Sequence, residues 1–274
     1  MSTEKNYNVQ FLKVLQCIKE AGCCNDLVIV GGWAEYLYMA GGVLPDYLPE
    51  FMTNDTDIMV LDGNEKSGRQ NLIRIAAEHG FTYDPNFDNG YSRLVGDEGF
   101  TVEFLMPQKG DGQKIIKRND IGIIPQQLSH MWMLKNTIPV RYHNYAVNVP
   151  EPEAYYIHKI IINSQRGPKT LKDQAAIANL EKYIDREKVN DYLSQLSKKE
   201  LAKYNTYMQD VATRRHDVNH IVMNGKDHYV SNKEIRDLIF QGAKFKTIND
   251  KKLLQAEMPN KTHREKPKDH DLER

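Results

Sequence analysis

No stretch of this chain approaches the roughly 20 consecutive apolar residues that cross a bilayer, so no membrane-spanning helix is expected. Cysteine is scarce. Cys17, Cys23 and the adjacent Cys24 make neither a disulfide framework nor a C-x-x-C metal site. The polar start MSTEKNYNVQ lacks the apolar core of an export signal, and together these absences point to the cytoplasm. An excess of one charge is missing too: 37 basic and 37 acidic residues leave bulk charge silent about partners. His216 and His220 stand four apart without the glutamate of an H-E-x-x-H zinc site. There is no repeat of fixed period, and no aromatic–basic interleaving of the kind that marks a groove for single-stranded RNA.

What is present suits a globular protein with a sizeable core: 274 residues, 40% hydrophobic and 27% charged. The halves differ in charge. Residues 1–150 hold 13 basic and 18 acidic residues, and residues 151–274 hold 24 and 19. Val9, Leu12, Leu15 and Ile18 predict an amphipathic helix over 7–22. The run Leu27-Val28-Ile29-Val30 then reads as a strand, Gly31-Gly32 as a turn, and Trp33 to about Ala40 as a helix. A strand is expected at 57–61, a helix at 67–79 ending on Gly80, and a hairpin from 91–95 and 100–105. After Pro150-Glu151-Pro152 the texture turns helical, with segments at 154–163, 171–180 and 186–204 and a capping-box start at Ser231. The fold class expected is α+β. It comprises an N-terminal mixed-sheet domain (1–149), a mainly helical domain (150–257) and a disordered charged tail (258–274).

Three features carry chemistry. In TNDTDIMV, Asp55 and Asp57 lie one residue apart at the mouth of an apolar run, and in a strand they share one face. Like charges so placed repel, and a divalent cation would turn the repulsion into a site; a solvated strand end accounts for them as well. Gly31-Gly32, between strand and helix, allows close approach of an anion to free backbone N–H groups, or merely makes a tight turn. Glu103 interrupts the apolar run Phe100-Thr101-Val102-Glu103-Phe104-Leu105. A buried carboxylate there needs a partner or a metal, and a neighbouring strand would set it beside Asp55 and Asp57; on an edge strand it would simply face water.

The order of these features resembles the nucleotidyltransferase superfamily that includes DNA polymerase β. The run from Val149, VPEPEAYYIHKIIINSQRGPKTLKDQAAIANL, is similar to the second-domain signature of bacterial nucleotidyltransferase-like proteins related to abortive-infection toxins. The resemblance covers roughly residues 27–185. It implies an NTP substrate and Mg2+ (or Mn2+) held by Asp55, Asp57 and Glu103. It implies phosphates gripped by Gly31, Gly32 and Trp33 through the backbone, and by Lys159, Arg166 and Lys172. Lys159 and Asp173 join the acids as catalytic candidates. Gly32 and Trp33 stand where many members carry a serine. The implied reaction moves a nucleoside monophosphate to an acceptor hydroxyl, on tRNA or protein by preference. A cognate antitoxin is an implied partner and a membrane is not. Two other readings remain: a D-x-D sugar transferase, and a catalytically silent module that senses nucleotide or binds a partner. Taken without the family, Lys159 is a cleft cation or a solvated helix lysine, and Asp173 a group orienting that cation or an ordinary first-turn acid. Tyr83, Tyr91 and Arg93 are candidates for the acceptor side.

Overall fold

The structure, a computed structural model, describes residues 3–49, 53–86, 88–108, 110, 115–165, 170–214, 218–223, 226–231, 234–235, 237–238, 244–248 and 253–257. The tail expected to be disordered lies outside the described residues, as does Arg166. The chain divides into two compact units, Met1–Asp210 and Val211–Arg274.

The first unit is built on an eight-stranded mixed sheet: β1 (Leu27–Val30), β2 (Asp55–Val60), β3 (Thr82–Tyr83), β4 (Arg93–Val95), β5 (Thr101–Pro107), β6 (Gln126–Leu128), β7 (Thr137–Tyr142) and β8 (Tyr145–Pro150). Its order is β3-β4-β5-β2-β1-β8-β7, with β6 also pairing on β5. The all-buried Leu-Val-Ile-Val of β1 explains its central place, because only a strand covered on both faces reads as an unbroken apolar run. One face packs under α1 (Thr3–Glu20) and α3 (Leu72–Glu78). Val14, Cys17, Ile18, Leu72 and Ala76 there meet Ile58, Leu94, Val102 and Phe104 around a small apolar cavity. These strand residues alternate with Asp57 and Glu103, so the acids project from the other face.

α2 (Gly32–Ala40) follows β1 and ends at Gly41, where a Cβ would stand 2.0 Å from Val140 Cγ1. Beyond the other end of β1, Asp26 is fully buried between Lys66 (2.5 Å) and Arg69 (2.6 Å). Arg118, also fully buried, takes Asp120 at 2.7 Å. This ionic knot ties down the segments after β2 and before β6, at the end of the β1–β2 pair away from the two aspartates. Pro152 then starts α4 (Pro152–Asn163), followed by α5 (Thr170–Leu180), α6 (Arg186–Gln195) and α7 (Lys198–Arg214). The α+β expectation, a mixed sheet followed by helices, holds for α4–α7.

The single helix expected at 186–204 is two. Ser197 breaks it, and Glu200 accepts the Ser197 backbone N–H (3.0 Å) and hydroxyl (2.7 Å), a capping box that starts α7 afresh. The other Glu200 oxygen accepts from His130 Nδ1 (2.9 Å) and Trp132 Nε1 (3.1 Å). Burial pushes the Glu200 carboxyl up, but these hydrogen bonds outweigh it and hold it at about 2 instead of 4.5. A depressed carboxyl contributes stability that is complete above its unfolded pKa and lost as pH falls through the folded one. The contribution of Glu200 is therefore full above about 4.5 and drains toward 2. Thermal midpoints taken from neutral pH down to about pH 3 should fall less steeply for Glu200→Gln than for the parent.

In the second unit the described residues form a four-stranded sheet of β9 (Val218–Met223), β10 (Lys226–Ser231), β11 (Lys244–Ile248) and β12 (Leu253–Glu257), ordered β10-β9-β12-β11. The helical expectation for this stretch is thereby corrected. Val218-Asn219-His220-Ile221 and Phe245-Lys246-Thr247-Ile248 are rich in β-branched and aromatic residues that favour a pleated surface. His220 sits in β9, and His216 lies outside the described residues. Most of the helix expected after Ser231 lies outside them too.

Candidate active site

Strand register decides what the two aspartates meet. β1 and β2 run antiparallel with Val30 opposite Asp57, so the end of β1 lies beside the start of β2. On its other side β2 pairs parallel with β5, setting Asp55 opposite Thr101 and Asp57 opposite Glu103. Register partners in a sheet project from one face. Asp55, Asp57 and Glu103 therefore share a face at the end of the sheet where β1 turns into α2.

The turn itself is shaped around this strand. Gly31 has φ 69° and ψ −152°, a backbone region that side chains avoid. A Cβ on it would stand 2.7 Å from Asp57 Oδ2, and a Cβ on Gly32 would stand 2.8 Å from Thr53 Cγ2. Gly31 thus combines a strained backbone with close approach to β2, while Gly32 packs closely on Thr53, just before β2. Gly31→Ala should destabilise the protein by about 1–3 kcal/mol and push the Asp57 carboxylate aside. Gly42→Ala is the control. It has φ 73° but nothing within 4 Å of an added Cβ, so it bears the backbone strain without the clash. Denaturant midpoints of the two variants separate the effects, with the larger loss expected at Gly31.

Glu103 differs from expectation in its setting. It is exposed and lies on an inner strand of the sheet, neither buried nor at an edge. A three-carboxylate set of hard oxygen donors suits Mg2+ or Mn2+, and the register supplies the backbone positions for one. The carboxylates as placed do not converge: among the described residues no three acidic, histidine or cysteine side chains form a group able to hold an ion. Drawing the three onto one ion asks for side-chain rotations with the strands left in place.

Trp33 lies in the core. Its ring stacks on Phe11 with centroids 3.8 Å apart, and its Nε1 is buried without a hydrogen-bond partner. Of this residue only the backbone belongs to the turn. Behind the turn lies a buried ionic cluster that the sequence analysis saw only in part. Lys159 Nζ is 3.1 Å from both Glu35 Oε1 on α2 and Asp173 Oδ1 on α5. Burial pushes the Lys159 ammonium down, but the two carboxylates more than offset this and raise its pKa well above the usual lysine value. The Tyr155 hydroxyl stands 2.9 Å from both Gly31 O and Glu35 Oε1, and the Tyr47 hydroxyl donates to Glu35 Oε2 at 2.8 Å. Burial holds the Tyr155 phenol well above its ordinary pKa, so it stays a donor.

Asp173 therefore does hold Lys159, but the lysine charge is shared between two buried carboxylates behind the glycine turn. Lys172 lies in the first turn of α5, and its side chain lies outside the described residues. Glu35, Tyr155 and Tyr47 escaped sequence reasoning. The signal for Glu35 was legible: an acid inside the apolar helix Trp33-Ala34-Glu35-Tyr36-Leu37 invites the same question that Glu103 raised.

A family model described as "Nucleotidyltransferase" matches residues 10–202. That span takes in the glycine turn, the three acids and the Glu35–Lys159–Asp173 cluster. Among solved structures, the crystal structure of an antigenic nucleotidyltransferase-like protein from Paracoccidioides brasiliensis is similar at 15% identity. The match covers 78% of this chain and 90% of that one, with a TM-score of 0.42. No curated protein matches the chain. No helix among the described residues is long and apolar enough to cross a membrane.

Proposed function

The chain belongs to the nucleotidyltransferase family, and from that premise we propose that it transfers a nucleoside monophosphate from an NTP to an acceptor hydroxyl. The observation that carries this reading is the pairing of Asp57 with Glu103 beside the Gly31-Gly32 turn. The acceptor oxygen forms a bond to the α-phosphorus as the bond to the bridging oxygen breaks. Pyrophosphate leaves, and the hydroxyl proton passes to Glu103, which is exposed and on the acid-bearing face. The backbone of Gly31, Gly32 and Trp33 opens α2, and its N-terminus favours phosphate oxygens through N–H groups and the helix dipole. Tyr155 braces the turn from behind by its hydroxyl on Gly31 O. Lys159 and Asp173 act through that brace. Lys172 and Arg166 are the cations proposed for the departing pyrophosphate. Asp55, Asp57 and Glu103 are the residues to hold Mg2+ or Mn2+, which when bound supply positive charge to the triphosphate and make the acceptor hydroxyl a stronger nucleophile.

tRNA and protein are the acceptors favoured from the sequence, and a toxin role with a cognate antitoxin rests on the sequence resemblance alone. The test is incubation of the full chain with each α-32P-labelled NTP, Mg2+ or Mn2+, and total RNA or cell lysate. Label on a macromolecule from the parent protein, and none from an Asp55→Ala/Asp57→Ala variant, is the expected result. NTP binding without label on any acceptor would replace transfer with nucleotide sensing.

A further inference from the structure

The row of side chains that holds Asp57 and Glu103 continues one strand further. β4 pairs antiparallel with β5, and Arg93 stands opposite Glu103. Arg93, Glu103 and Asp57 thus project side by side from one face. On the far side of Asp57 the same row reaches Val30, next to the glycine turn. The order along the sheet is glycine turn, acids, arginine, and neighbouring strands stand about 4.8 Å apart. With nucleotide phosphates at the turn and the reacting hydroxyl at the acids, the guanidinium faces the acceptor on the side away from the nucleotide.

Arg93 is half-exposed, and its Nη2 is paired with Asp84 Oδ2. Asp84 also donates its backbone N–H to Arg93 O at 2.9 Å, so the two residues stand together at the β3 side of the sheet. A guanidinium carries five N–H donors, more than one carboxylate contact consumes, and its planar fork matches phosphate oxygens. Asp84 aims the group without exhausting it. Nothing in the proposed transfer chemistry uses this cation.

We infer that Arg93 holds an anionic group of the acceptor itself, a phosphodiester next to the attacking hydroxyl, so that the acceptor is the 3′ end of a nucleic-acid strand. This rests on the transfer reading above and names its substrate class. In a nucleic-acid strand the 3′-hydroxyl and the preceding phosphodiester belong to one nucleotide and are separated by its sugar alone. That obligatory spacing fits one strand-to-strand step plus an arginine side chain. A serine, threonine or tyrosine hydroxyl on a protein brings no anion at a fixed distance for the donors that Asp84 leaves over on Arg93.

The test uses the full chain and a short fluorescein-labelled oligoribonucleotide with a free 3′-hydroxyl. A second oligonucleotide carries a neutral methylphosphonate at its last linkage. Anisotropy reads binding, label transfer reads extension, and binding of a fluorescent NTP analogue is followed separately. The parent should bind and extend the phosphodiester strand about tenfold better than the methylphosphonate. Arg93→Gln should erase that preference while leaving the NTP affinity and the thermal midpoint as they were, and Arg93→Lys should restore it in part. Equal treatment of the two strands by the parent overturns the inference, and so does an Arg93→Gln defect that falls equally on both. Label appearing on protein and not on RNA overturns it while leaving transfer intact. Absence of label on every acceptor, with NTP still bound, removes the transfer reading and this inference with it.

Discussion

Asp57→Asn should cut nucleotide transfer by roughly 10³-fold or more, the scale expected when a site loses a charge that positions and stabilises the reacting phosphate. The protein should still fold. Asparagine keeps the shape of the side chain, and Asp57 is half-buried on the face away from the α1–α3 core. Asp57 is expected to be more sensitive than its neighbour Asp55, because the register sets it beside Glu103 and the close approach of Gly31 sets it beside the turn. Asp55, by contrast, pairs with Thr101. The measurement is incorporation of label from an α-labelled NTP, taken with a melting curve of the same preparation. Near-normal turnover by a folded Asp57→Asn protein would exclude the acid cluster as the reaction centre.

Lys159→Met should destabilise the first unit by about 3–5 kcal/mol, or roughly 10 °C in melting temperature. The reason is what remains. Glu35 and Asp173 are both buried, and without the ammonium two like charges face each other out of water. The double variant Lys159→Met/Glu35→Gln should regain part of the loss by removing one of those charges. Such non-additivity is the mark of a shared network. A cation that served only to contact departing pyrophosphate would show the opposite pattern: a large activity loss, a small change in melting, and no rescue by Glu35→Gln. Because Tyr155 links this cluster to Gly31 O, the folded fraction of Lys159→Met should also grip NTP less well.

Much of the site was legible because its signals are local. Alternation along a strand puts Asp55 and Asp57 on one face whatever the rest of the chain does. The Gly-Gly turn between an apolar run and a helix is equally local, and the positive φ of Gly31 is the conformation such a turn demands. Two further local signals were present and outweighed. Ser197-Lys198-Lys199-Glu200 has the spacing of a capping box, yet the helical pattern on either side made 186–204 read as one helix. Asn224-Gly225 is a strong hairpin dipeptide, and it stands between the antiparallel strands β9 and β10 that replaced the expected helical texture.

Sequence by itself determined the fold class, the succession of glycine turn, paired aspartates and later glutamate, and the membership that this succession suggested. Each signal in that succession is read from residues near one another in the chain, and their order needs no knowledge of packing. Tertiary structure alone decided that β5 lies next to β2, that its register matches Glu103 with Asp57 and with Arg93, and that Glu103 is exposed. It also decided that Lys159 is neutralised between Glu35 and Asp173. Each of these is a meeting of distant segments. A lysine among isoleucines reads the same whether it faces water or two carboxylates, and only packing supplies the partner that makes its burial tolerable.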